Sequence, residues 1–173
     1  MKKVSVAVFV LSCLAFLAQA LYYWPLLPDT VASHFDLHGR PDGWTSRSSY
    51  LGVQFVVGLV CAAVGLLPAW ATSKVLAQVT DALPEKVRWS PTLAHDVRDY
   101  ILVQSLWLAS ILMLAMADLF WQSSRLNVEH LPALDHLYLN LGVLIGVGLG
   151  WPLVLVVGAV FFFRRRPSGA ASR

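Results

Sequence analysis

Four stretches of this chain carry no Lys, Arg, Asp or Glu: residues 4–28, 48–73, 100–117 and 137–163. A hydrocarbon core of ~30 Å takes about 20 helical residues to cross. Three of the runs span as they stand, and the third does once extended past Asp118. An isolated apolar segment in lipid must satisfy its own backbone groups, which leaves the helix. The runs also lack the apolar–polar alternation of barrel strands. The expected fold is therefore all-α, a four-helix transmembrane bundle with helices at about 4–26, 49–71, 99–121 and 138–163. Composition agrees, with 57% hydrophobic residues and only 13 Lys and Arg and 10 Asp and Glu among 173; an ordinary soluble domain is far less apolar.

The cationic residues orient the bundle. Lys2, Lys3, Lys74, Lys86, Arg88, Arg98, Arg164, Arg165, Arg166 and Arg173 fall on one side of the predicted membrane, and Arg40, Arg47 and Arg125 on the other. Positive residues stay in the cytoplasm, so both termini are expected inside. The organisation that follows is a two-helix unit over 1–72 with an outward cap at 27–48, a cytoplasmic loop over 73–98, a second helix pair over 99–163 and a basic tail over 164–173. Tyr22, Tyr23, Tyr50, Tyr100 and Tyr138 all fall at predicted helix ends, as do Trp24, Trp70 and Trp121, the pattern of an interfacial aromatic belt. Ala18-Gln19-Ala20 after an apolar core has the form of a signal-peptide cleavage site. The apolar run continues to Leu27, however, and the expectation is a retained span. Topology and anionic inner-leaflet lipids account for the basic charge, so nucleic acid is not an expected partner. Cys13 and Cys61 lie mid-span, where thiols act as small apolar groups.

Gly142, Gly146 and Gly150 make two overlapping GxxxG spacings on one face of the fourth helix. Absent side chains let helix backbones approach, so this stripe is a candidate packing face, within the bundle or across a homodimer. Gly58, Ala62 and Gly65 make a related stripe on the second helix. Pro152 should kink the fourth helix, and Pro68 should bend or end the second. Ser90-Pro91 reads as a helix cap with proline at the first helical position, leading residues 91–99 into the third helix. Residues 74–83 read as a short interfacial helix before Pro84. No phosphate loop, nucleophile elbow, dinucleotide fingerprint or zinc-protease helix occurs. The expectation is a non-enzymatic protein with no cofactor.

Between the first two apolar runs lies a polar island, Leu27-Pro28-Asp29-Thr30-Val31-Ala32-Ser33-His34-Phe35-Asp36-Leu37-His38-Gly39-Arg40-Pro41-Asp42-Gly43-Trp44. Residues 31–36 alternate as a short strand does. His38-Gly39-Arg40 and Pro41-Asp42-Gly43 are successive turn signals. The segment is expected to be a compact outward cap that packs Phe35 and Trp44 inward. Leu27-Pro28, Val31, His34-Phe35-Asp36, Gly39 and Pro41-Asp42-Gly43-Trp44 together resemble the signature of a family of bacterial integral membrane proteins, domain of unknown function 1648. The resemblance covers about residues 1–71. Asp36 stands where Asn is commoner, and Arg47 near where relatives often carry Lys. The resemblance implies Pro28, His34, Phe35, Asp36, Gly39, Pro41, Asp42 and Trp44 as the signature loop. It also implies a relation to membrane immunity proteins that protect bacteria from a secreted killing peptide and take part in signalling.

The residues alone leave other readings open. His34, Asp36 and His38 are two apart, so a strand would bring all three to one face, a spacing that suits a metal. Glu129-His130 and Asp135-His136 lie in a loop predicted on the same side. The same His34 and Asp36 could instead hold loop backbone by side-chain hydrogen bonds. Asp118 is an ionisable residue inside a span, the mark of ion paths, and could equally pair with Arg125 or reach water. Three functions follow as expectations. The leading one is a membrane protein of envelope stress, immunity or signalling whose outer loop meets a peptide or protein. The others are a metal-binding membrane protein and a small transporter or channel subunit.

Overall fold

The computed structural model describes residues 2–82 and 91–131, and in the fourth span residues 142–143, 145–147, 150–151, 153–154 and 157–158. The elements in order are α1 (Lys2–Tyr23), β1 (Thr30–Phe35), β2 (Pro41–Ser46), α2 (Arg47–Ala82) and α3 (Pro91–Glu129). Three helices, Lys2–Tyr23, Arg47–Pro68 and His95–Glu129, are long and apolar enough to cross a membrane. The described residues between 142 and 158 are helical, but most of the fourth expected span, and its Pro152, lie outside the described residues.

α2 and α3 outrun their expected bounds. α2 passes through Pro68 without ending and continues to Ala82, absorbing the separate interfacial helix expected at 74–83. α3 begins at Pro91, where proline's missing N–H costs no intrahelical bond. It then runs on through residues 122–129, where polarity predicts a loop. Its 39 residues reach roughly 58 Å at 1.5 Å per residue, well beyond a hydrocarbon core. His130 ends it with φ 54°. Leu131 N–H then bonds back to Leu126 O at 3.1 Å, and Leu131 packs on Leu126, the closure a left-handed residue after a helix makes possible.

α3 is the central element, packing along both α1 and α2; α1 and α2 meet each other where Gly58 faces the Phe16 ring and Gln54 bonds Gln19. Lys2 Nζ bonds Asp99 Oδ1 at 2.7 Å, so α1 and α3 run parallel from a common level. Phe9 then packs on Leu106 and Ala109, and Phe16 on Met113 and edge-on to Phe120. The close approaches come from α2. A Cβ added at Gly65 would stand 2.8 Å from Ala109 Cβ, and one at Gly58 2.8 Å from the Phe16 ring. The fourth-span stripe behaves differently. A Cβ at Gly142, Gly146 or Gly150 meets no described atom within 4 Å, whereas Gly158 lies against the Tyr100 hydroxyl.

The distribution of polarity is inverted relative to a water-soluble bundle. Ser5, Ser12, Gln54, Ser105, Ser110 and Ser124 are buried, while Leu11, Leu14, Phe55, Val56, Leu59 and Leu67 are exposed. Ser12 and Ser110 satisfy their hydroxyls on carbonyls one turn back, at 2.8 and 2.7 Å. Lipid gives apolar side chains no reason to leave the surface, and small residues let helices pack, so this is the arrangement of a membrane protein. The aromatic belt is only part of the story. Tyr22, Trp24 and Trp70 are exposed, but Tyr23 and Tyr50 are buried and hold the bundle to the hairpin.

Candidate functional site

The polar island folds as an antiparallel hairpin of β1 and β2, so the fold is helical with a small sheet and not purely α. The second strand lies where the composition signals two turns. Pro41 can stand there because the first residue of an edge strand can do without its N–H. The pairing runs Thr30 with Ser46, Val31 with Thr45 and Ala32 with Trp44. It then skips Ser33 to pair His34 with Gly43, and skips Asp42 to pair Phe35 with Pro41. Such bulges re-aim side chains. Here the Asp42 carboxylate meets His34 Nδ1 at 2.5 Å. Gly43 is required by the same crossing, because a Cβ there would come 2.9 Å from His34 Cβ.

Asp36 builds the turn between the strands. Its Oδ1 accepts from the backbone N–H of His38 at 2.8 Å and of Arg40 at 2.9 Å. Its own N–H donates to Arg40 O, and its carbonyl accepts from Gly39 N–H, each at 2.9 Å. Gly39 has φ 74°, a conformation glycine adopts without strain. The amide donors, that of Arg40 first, hold the Asp36 carboxyl below its ordinary range. An asparagine at this position could supply the same accepting oxygen. The signature residues of the loop are thus largely the parts of one hairpin.

The hairpin is fastened at both roots and along one edge. Asn127 of α3 receives Ala32 N–H on Oδ1 at 2.7 Å, and donates from Nδ2 to Ala32 O at 3.1 Å and to Ser123 O at 2.8 Å. One side-chain amide therefore does for β1 what a third strand would do. Each such bond is worth about 1 kcal/mol net, and a buried group left unpaired costs about 1–3 kcal/mol. Arg47 donates to Leu27 O at 3.0 Å, pairs with Asp29 at 3.1 Å and sends its backbone N–H to Asp29 O at 2.9 Å. Ser46 caps α2 through Ser49 N–H at 3.2 Å. Below, Tyr50 Oη donates to Phe120 O and meets Ser124 Oγ, both at 3.3 Å. Val31 packs with Tyr23, Leu27, Tyr50 and Leu51, while Ala32 packs on Leu126. Both faces are covered at Val31 and Ala32, so these consecutive residues are buried and the expected alternation fails there.

Several expected site residues stand apart. Phe35 does pack against Ala32 and Leu126, but Trp44 is 63% exposed and does not turn inward. His34, Asp36 and His38 do not converge. Among the described residues no three His, Cys, Asp or Glu side chains are grouped to hold a metal, because His34 reaches across to Asp42 while Asp36 is taken up by loop amides. Asp135 and His136 lie outside the described residues. Asp118 is exposed on α3 and accepts from Gln122 Nε2 at 2.5 Å. Arg125 forks onto Glu129 at 3.0 and 2.7 Å and stands 5.1 Å over the Trp121 ring. Sequence reasoning missed Asn127, Arg47, Tyr50 and Gln54. The first had a signal: Arg125 and Glu129, like Ser123 and Asn127, are four apart, the spacing of a continuing helix.

Residues 10–58 match the family model described as Domain of unknown function (DUF1648). That segment takes in the later part of α1, the whole hairpin and the first three turns of α2; Asn127 lies outside it. No curated protein and no solved structure matches the chain.

Proposed function

We propose that this is a non-enzymatic, multi-pass plasma-membrane protein of bacteria, with both termini cytoplasmic, and that its hairpin is an extracytoplasmic recognition element. In this reading the hairpin meets a peptide or protein and serves envelope stress, immunity or signalling. The observation that carries the reading is the mounting of the hairpin on α2 and α3. Asn127 and Arg47 tie it down by hydrogen bonds and Tyr50 packs with Val31, while Leu37 and Trp44 remain 75% and 63% exposed. A rigid support that leaves large apolar groups in the open suits a surface for contact. The Lys2–Asp99 pair marks the other end of the bundle, where Lys3, Lys74 and Arg98 of the described residues also lie. The resemblance of the signature residues to a family that includes immunity proteins supports the same reading.

Leu37→Cys tests orientation and role together. In intact cells a membrane-impermeant maleimide should label this variant, and a cysteine placed at Arg173 should stay unlabelled until the cells are opened. A strain carrying Leu37→Ser with Trp44→Ser should then lose resistance to envelope-active peptides as far as a deletion strain does, with unchanged membrane levels. The protective role fails if the deletion strain resists as well as the parent does. Labelling at Arg173 in intact cells would overturn the orientation.

A further inference from the structure

Cys13, Cys61 and Met113 each sit well inside a helix, one on each of α1, α2 and α3. The contacts that set the helix register bring them level. Gly65 faces the Phe9 ring, and Gly58 faces the Phe16 ring. α2 therefore descends as α1 rises, residue for residue, and Cys61 comes opposite Cys13. Gly65 also faces Ala109. One turn further along both helices, Cys61 comes level with Met113. Side-chain packing agrees with the register. Cys61 and Met113, 6% and 2% exposed, share one buried cluster with Phe16, and Cys13 packs against it. Both cysteines are free thiols, within electrostatic reach of each other. Three helices thus bring three sulfur-bearing side chains to one level of the bundle.

We infer that Cys13, Cys61 and Met113 form a binding site for a soft monovalent cation, Cu(I). Thiolate and thioether sulfur together suit Cu(I). Zinc in a closed site takes four ligands drawn from Cys, His, Asp and Glu. Among the described residues no third group of that kind joins the two thiols. Hard cations need oxygen, and the neighbouring side chains of Phe16, Val57, Ala62 and Ala117 offer none. Cys13 lies roughly 16 Å along α1 from Lys2 by helical rise, deep in the hydrocarbon. A bare thiolate there would be a buried unpaired charge, so the thiols stay protonated until the ion arrives. On binding, two S–H bonds break, two S–Cu bonds form and two protons leave, with no change of oxidation state. Met113 adds a sulfur lone pair and loses no proton. The core keeps one negative charge, where the dithiolate alone would hold two. This site is separate from the hairpin surface, and the binding it predicts does not depend on what the hairpin recognises.

The test uses the full chain in detergent, free of oxygen, with Cu(I) buffered by a coloured chelator. One copper per chain should leave the chelator, and X-ray absorption should show only sulfur around it. Cys13→Ala combined with Cys61→Ala should abolish the transfer. Met113→Leu should weaken it by at least about tenfold, a loss common even for a residue that only supports a metal ligand. Leucine keeps the packing volume of methionine, so this variant tests the site even where the double variant unfolds. An excess of Zn²⁺ should leave the copper in place. Failure of the parent chain to draw copper from the chelator would overturn the proposal. So would full transfer to a folded double variant, nitrogen or oxygen ligands in the absorption spectrum, displacement by zinc, or an affinity unchanged in Met113→Leu.

Discussion

The hairpin and the helical bundle beneath it are held by different physics. In the hairpin nearly every named residue makes its own distinct contribution. Asp36 gathers loop amides, Gly39 takes a left-handed turn, Gly43 makes room for His34, and Asn127 closes a strand edge. In the bundle the helices satisfy their own backbones, and the burden falls on a few small residues such as Gly58 and Gly65. A short stretch of irregular backbone must be bonded residue by residue, whereas a membrane helix only has to be apolar and allow its neighbour near. Residue identity is therefore held more tightly in the hairpin, while many different apolar sequences would serve in the spans.

That contrast can be broken at specific places. The largest effect is expected for Asn127→Leu, which strands the N–H and C=O of Ala32. Stability of the docked hairpin should fall by about 3 kcal/mol, read as faster amide exchange and proteolysis within 30–46 with the spans still inserted. Equal protection in the variant would mean that the amide is not the tie. Next is Gly65→Val, whose Cβ meets Ala109. Overpacking of this kind costs about 1–3 kcal/mol, and the thermal midpoint in detergent should drop while exchange in the hairpin holds. If the hairpin loosened to the same degree, the two regions would be one cooperative unit. The smallest effect concerns Asp36. Its carboxyl titrates below its ordinary value of 3.8 when folded, so the stability it lends is full above that value and is lost as pH falls through the lower folded one. Asp36→Asn keeps the accepting oxygen, so it should change little at neutral pH and remove the acid-induced loosening of residues 36–40. An unchanged acid profile by amide exchange would assign that loosening to other groups.

Legibility in the sequence divides along the same line. Of the four spans the apolar runs announce, three are helices long and apolar enough to cross a membrane, the fourth lies mostly outside the described residues, and Pro91 marks a helix start. Pro68 does not end its helix, because a proline that stops a helix in water is tolerated where neighbouring helices support it. The end of α3 is hidden because Gln122, Ser123, Arg125, Asn127 and Glu129 look like loop by polarity alone. They are polar because part of that turn faces a strand. The hairpin's second strand is hidden because Pro41-Asp42-Gly43 has the composition of a turn; its bulge and its close crossing at His34 require the same residues. The inward Trp44 fails because β1 is already covered on both faces at Val31 and Ala32 by other residues.

Asn127 also limits what the hairpin can grow into. An extended sheet recruits further strands through open edges, and continued growth needs one on each side. Here the β1 edge is occupied by a side chain from the same molecule. Only β2 remains to be paired, so strand addition would stop after a single partner. The amide that docks the hairpin is thereby also a terminator, giving a surface-exposed sheet a built-in limit against fibrous assembly.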